Sequence, residues 1–269
     1  MLLVVVYHFW PNRLSGGYIG VDVFFVISGF LITGQLTREL RERSRIALPD
    51  FWARRVRRLV PASLLVLFVS LLLVTFVMPL AYLPESLRDI GASALYVQNW
   101  SLAANSVDYL ASNSRTIAEH YWSLSVEEQF YVVWPLVLLG TFSLAVRWGV
   151  RRRWAAMAIT IVILAALSFV ASVWYTAVNP AQAYFVLFTR IWEFAAGALL
   201  VLWGRRAPRV WQSNVLGYAG IAVVLASAFL LDRSSAFPGW LAIFPVAGTL
   251  AILAMGSSQR WWNASGLLS

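Results

Sequence analysis

YHFWPNRLSGGYIGVDVFFVISGFLITG, residues 7–34, sets a histidine and an aspartate at the same edge of two adjoining apolar segments. Over residues 18–37 the only charge is Asp22, and about 20 predominantly apolar residues suffice for a helix that crosses a bilayer. At 1.5 Å per residue, Asp22 is roughly 6 Å inside Tyr18, just under the membrane surface. His8 comes ten residues before Tyr18, across a turn marked by Pro11, Asn12, Gly16 and Gly17. So short a turn folds the chain back beside itself, which predicts His8 and Asp22 at one depth. The pair reads as chemistry at a membrane face, or as interfacial side chains that snorkel to water or pair structurally.

The composition is 60% hydrophobic and 12% charged, against the roughly 25% charged residues of soluble domains. Apolar runs recur from end to end, so residues 1–269 read as a single all-α domain, a polytopic transmembrane helix bundle. The absence of cysteine excludes thiolate catalysis and cysteine metal ligation, and no metal site is expected. All 21 basic residues are arginine, which excludes Schiff-base lysine chemistry. The net charge of +9 does not indicate a nucleic-acid partner, because it sits in short loops on one side of the bundle.

Seven complete spans are expected, at 18–37, 59–79, 126–146, 154–175, 184–203, 215–231 and 240–255, after a partial first helix that ends at Pro11. The first ten residues carry no basic leader pattern and make about half a span, so the chain is expected to begin inside a helix. Residues 38–58 hold eight arginines and read as cytoplasmic; residues 80–125, whose basic residues are Arg88 and Arg115, read as extracytoplasmic with a surface helix near 85–99. This topology puts 16 arginines in cytoplasmic loops, four outside (Arg13, Arg88, Arg115 and Arg233) and Arg190 within a span. His8 and Asp22 fall at the outer face.

Three further stretches carry polar groups. FWARRVRRLVP, 51–61, places Arg55 and Arg58 on one helical face; guanidinium forks suit a phosphorylated cytoplasmic carrier, and equally anionic lipid headgroups. HYWSLSVEEQFYVVWP, 120–135, brings Glu127, Glu128 and Gln129 to the outer entrance of a span. With Ser123 or Ser125 as a cap, the two glutamates would lie in a first turn where the helix dipole favours them, and Trp122, Tyr131 and Trp134 fit an interfacial aromatic belt. In TRIWEFAAGALL, 189–200, Arg190 and Glu193 stand three residues apart in an apolar helix and should pair, facing the bundle interior.

Taken together and in this order, YHFWPNRLSGGYIGVDVFFVISGFLIT, FWARRVRRLVP and HYWSLSVEEQFYVVWP resemble the membrane O-acyltransferases of acyltransferase family 3. The resemblance covers most of the chain. It implies transfer of an acyl group, commonly acetyl, from cytoplasmic acyl-CoA to a hydroxyl on an extracytoplasmic glycan, peptidoglycan, lipid-linked sugar or small molecule, at a bacterial cytoplasmic membrane. Acyl-CoA is then a donor substrate, with no permanently bound cofactor. The resemblance makes His8 and Asp22 the catalytic candidates and Arg55 and Arg58 the donor-binding ones, with Glu127, Glu128 and Gln129 supporting the site. The family's basic partner of His8 would fall upstream of Met1 and its closing helices beyond Ser269, so a fragment cut at both ends is expected. A transporter or flippase of an anionic, glycan-linked substrate is the alternative, since it too would need arginines and an intramembrane ion pair. An inactive truncated product is the third reading.

Overall fold

The computed structural model describes residues 2–10, 13–105, 117–203, 210–232 and 235–258. Arg115, Arg205, Arg206, Arg209, Arg233 and Arg260 lie outside them. The described residues form helices α1 (Leu2–Phe9), α2 (Gly20–Arg43), α3 (Leu48–Phe76), α4 (Leu83–Ala94), α5 (Gln98–Ala104), α6 (Tyr121–Arg147), α7 (Arg153–Val178), α8 (Pro180–Phe185), α9 (Ile191–Trp203), α10 (Val210–Leu230) and α11 (Ile243–Ser258), with no strand among them. The all-helical, multi-pass reading holds.

Among the described residues, four helical segments are long and apolar enough to cross a bilayer: Gly17–Arg43, Leu48–Phe76, Tyr121–Arg147 and Arg153–Val178. The other three expected spans correspond to the shorter apolar helices Ile191–Trp203, Asn214–Leu230 and Ile243–Ala254. The arginine-rich stretch 38–58 is also less of a loop than expected. Helix α2 runs on to Arg43, Ser44 closes it in the left-handed conformation at φ 54°, and α3 resumes at Leu48 with Pro49 in its first turn. Proline there has no amide hydrogen to waste and a φ already suited to the helix.

The span expected over 184–203 is broken. Helix α8 ends at Phe185, Val186 is extended, a 3₁₀ turn covers Leu187–Thr189, and α9 begins after Arg190. Backbone released at membrane depth must find partners inside the protein, and here it does. Thr189 Oγ1 lies 2.7 and 2.8 Å from the carbonyls of Ala183 and Val186 and shares its one proton between them, while Arg190 Nε donates to the carbonyl of Tyr184 and Asn99 Nδ2 to that of Phe185. The Arg190 amide serves Leu187, while Ser168 Oγ donates to Phe188 and accepts from the Trp192 amide. Each carbonyl from 183 to 188 therefore has a donor.

The bundle is tightest where α2 crosses α9. A Cβ on Gly29 would collide with the Phe194 carbonyl, and one on Gly197 with the Val26 carbonyl, the close approach that small residues permit between membrane helices. Phe25 stacks on Phe194 at 4.5 Å, Phe194 on Phe130 at 4.2 Å, and Phe130 on Trp134 at 4.8 Å, joining α2, α9 and α6 through one aromatic column.

Because these glycines have no room for a methyl, Gly29→Ala and Gly197→Ala should each lower stability by at least about 1–3 kcal/mol, the usual cost of overpacking. Gly34→Ala, whose nearest neighbour would be Val201 at 4.0 Å, should be neutral within about 0.5 kcal/mol. Thermal unfolding in detergent micelles separates the two classes.

Candidate functional site

Two buried polar clusters diverge from α2. Near its start, Asp22 Oδ1 and Glu193 Oε1 each lie 2.9 Å from the same nitrogen, Nη1 of Arg190. All three side chains are at most 1% exposed. The rings of Tyr184, Phe237 and Trp122 surround the guanidinium carbon at 4.9, 5.5 and 5.9 Å, where a desolvated cation gains from the ring quadrupoles. The expected Arg190–Glu193 pair is present, and Asp22 completes it.

One helical step further, α2 meets α6. Glu127 Oε1 accepts from Ser28 Oγ at 2.5 Å and from the Tyr131 hydroxyl, which also lies 3.1 Å from Ser28 Oγ. The Arg55 guanidinium carbon sits 3.9 Å from the Tyr131 ring centre and 4.7 Å from that of Phe51, and Trp52 Nε1 donates to the Tyr131 carbonyl. Arg55 is thus held beside Tyr131 near the middle of α6, joined through that ring to Glu127. Arg58 is exposed on the following turn of α3, and Glu128 Oε1 is buried without a hydrogen-bond partner among the described residues.

Gln129 does different work. Its Nε2 donates to the Tyr96 carbonyl and to Asn99 Oδ1, and its Oε1 accepts from Trp100 Nε1. These bonds fasten α5 to α6, and Asn99 in turn reaches Phe185 at the helix break.

Two expectations for α6 fail. The helix begins at Tyr121, after His120, with no side-chain cap, so Glu127 and Glu128 lie beyond the first turn. Ser123 and Ser125 instead donate back to the carbonyls of His120 and Tyr121. Trp122, Tyr131 and Trp134 are 1%, 6% and 2% exposed, so they pack inside the bundle and form no interfacial belt.

His8 stands in α1, which runs antiparallel to the start of α2: a Cβ on Gly20 would meet Val4 Cγ2 at 2.6 Å, and one on Gly17 would meet Tyr7 Cβ at 2.6 Å. His8 is four residues beyond Val4 and Asp22 two residues inside Gly20, so roughly 9 Å of axial rise separates their backbones. The single depth expected for them does not hold, because the Gly17–Ile19 turn overlaps the two helices. Between α1, α2 and α6 lies a cavity of about 150 Å³, lined by Val4, Val21, Phe24, Ser123, Leu124 and Glu127 among others. Glu127, with one oxygen gripped by two hydroxyls, is the acidic residue of this lining.

Among the described residues no group of three or more His, Cys, Asp or Glu has the arrangement of a metal site. Ser28 and Tyr131 are the partners of Glu127 that the sequence did not point to. The usable signal was the four-residue spacing of Glu127 and Tyr131, which puts them on one helical face.

A multi-pass helical bundle with a carboxylate-floored cavity beside a histidine-bearing helix, and an arginine tied to that carboxylate, fits a group-transfer enzyme. The chain belongs to acyltransferase family 3, whose model, described as an acyltransferase domain, matches residues 1–269. The O-acetyltransferase OatA of Staphylococcus aureus strain NCTC 8325 is 34% identical over 240 residues, covering 85% of this chain and 38% of the relative. The same figures hold for OatA of strain MRSA252. A protein of strain COL whose name proposes O-acetyltransferase activity is 34% identical over 204 residues, 76% of this chain and 33% of its own. The chain therefore spans 38% or less of the length of these curated relatives. No solved structure matches it.

If Ser28, Glu127 and Tyr131 form one unit, Ser28→Ala and Tyr131→Phe should each cost about 1–3 kcal/mol by stripping a donor from a buried carboxylate. The double variant should depart from additivity by at least about 0.5 kcal/mol. Additive losses in thermal unfolding would mean that the three side chains act independently.

Proposed function

We propose that the protein is an O-acyltransferase that moves a short acyl group, in the simplest case acetyl, from acyl-CoA to a hydroxyl of an extracytoplasmic glycan or related envelope acceptor. The site would lie in the cytoplasmic membrane of a bacterium, with the arginine-rich ends of the helices inside. Family membership and the O-acetyltransferase names of the relatives support the chemistry. The observation that carries the reading for this chain is the path Arg55–Tyr131–Glu127–cavity, which links a cation suited to phosphate with the pocket beside the histidine helix.

In this reading Arg55 and the exposed Arg58 hold the donor's phosphates. His8 takes the proton of the acceptor hydroxyl as general base, or carries the acyl group transiently. The acyl C–S bond breaks and a C–O bond forms, and the hydroxyl proton leaves on the thiol. Asp22, committed to Arg190 through Oδ1, serves by fixing the α2–α9 crossing.

The break at Arg190 is the feature a transporter would also present, since discontinuous helices offer bare carbonyls to cargo. Here side chains and the Arg190 amide already occupy the carbonyls of residues 183–188, which favours the enzyme reading.

Membranes holding the full-length protein should transfer label from acetyl-CoA to a glycan acceptor. His8→Ala should reduce the rate at least about 10²-fold, as expected for loss of a general base. Arg55→Ala should act mainly on the KM for the donor. Undiminished transfer by His8→Ala would sink the assignment of His8, and transport of intact glycan without acylation would favour the rival.

A further inference from the structure

The cavity beneath α1 has a lining that specifies more than the reaction class. Its walls are Val4 from α1, Val21 and Phe24 from α2 and Leu124 from α6, with Ser123 among them. Its polar end is Glu127, 4% exposed and part of the lining. Ser28 and Tyr131 hold one of its oxygens from opposite helices, so this carboxylate cannot swing aside. The backbone of His8 is one helical turn beyond Val4.

We infer that this cavity seats the hydrocarbon part of the transferred acyl group and sets its maximum length, an inference that rests on the acyltransfer reading above. The apolar walls favour an alkyl tail in proportion to the surface it buries. The fixed carboxylate ends that benefit: a tail long enough to reach it would strip water from a charge without offering a hydrogen bond in return. A volume of about 150 Å³ equals that of roughly five water-sized groups. That admits acetyl to butyryl and excludes medium and long chains. Val21, Phe24 and Leu124 are thus specificity-determining residues, with Glu127 as the stop.

The test uses the full-length protein in membranes, with acetyl-, butyryl- and octanoyl-CoA as competing donors. Wild type should use acetyl and butyryl and reject octanoyl. Phe24→Ala, which lengthens the space, should raise the octanoyl-to-acetyl ratio at least tenfold. Leu124→Phe, which shortens it, should lower the butyryl-to-acetyl ratio at least tenfold. Unchanged ratios in both variants, each eluting as folded protein on gel filtration, would overturn the inference and leave the acyltransfer reading intact. Absence of transfer from any donor by wild type would overturn the acyltransfer reading. The cavity is then tested alone by photolabelling purified protein with a diazirine-bearing butyryl-CoA. Label within residues 120–127 that acetyl-CoA competes away supports the seat, and label elsewhere or none refutes it.

Discussion

The guanidinium of Arg190 is the constraint to which the rest of the bundle conforms. A charge removed from water is tolerated only with partners that meet it at close range, and Arg190 has Asp22 and Glu193 on one nitrogen, the Tyr184 carbonyl on Nε, and three aromatic rings around it. Supplying the Tyr184 carbonyl requires the preceding helix to unwind. The unwound backbone then requires Thr189, Ser168 and Asn99 where it passes. Asn99 is held by Gln129, so α5 and α6 also become part of the arrangement. Glycines at 29 and 197 let α2 and α9 approach closely enough for the carboxylates to reach one nitrogen.

Helix α2 divides the labour. Asp22 and Ser28 are six residues apart, a rotation of roughly 240° at 3.6 residues per turn, so the two side chains leave the helix on different sides. Asp22 turns to α9 and secures the scaffold; Ser28 turns to α6 and fixes Glu127. One element thereby holds both the structural ion cluster and the polar end of the cavity in register. Arg55 joins from α3 by stacking on the same Tyr131 whose hydroxyl holds Glu127.

The apolar runs and arginine asymmetry made the helical membrane architecture legible, because both follow from the cost of placing charge in hydrocarbon. The Arg190–Glu193 contact was legible for the same reason, being local at three residues. Its third member was not: Asp22 lies 168 residues from Arg190, and the choice between His8 and Arg190 as its neighbour depends on how helices cross. Hydropathy likewise could not reveal the break before Arg190, since residues 184–203 are apolar whether continuous or not. The aromatic residues of 120–135 suggested an interface because Trp and Tyr favour that environment, yet here their polar atoms find partners inside, as Trp134 does on Thr33 and Tyr131 on Glu127. Arg55 read as a donor- or headgroup-facing arginine on a helical face; only the packing of α3 on α6 brings it to Tyr131.

The most direct measurement compares the thermal stability of Arg190→Met with that of the combined Asp22→Asn, Arg190→Met, Glu193→Gln variant in detergent. If the guanidinium is the compensating charge for two buried carboxylates, Arg190→Met should lose about 3–5 kcal/mol, the cost of stranding buried charge, and neutralising both acids should restore most of it. Equal stability of the two variants, or no loss in the first, would contradict the central role given to this cluster.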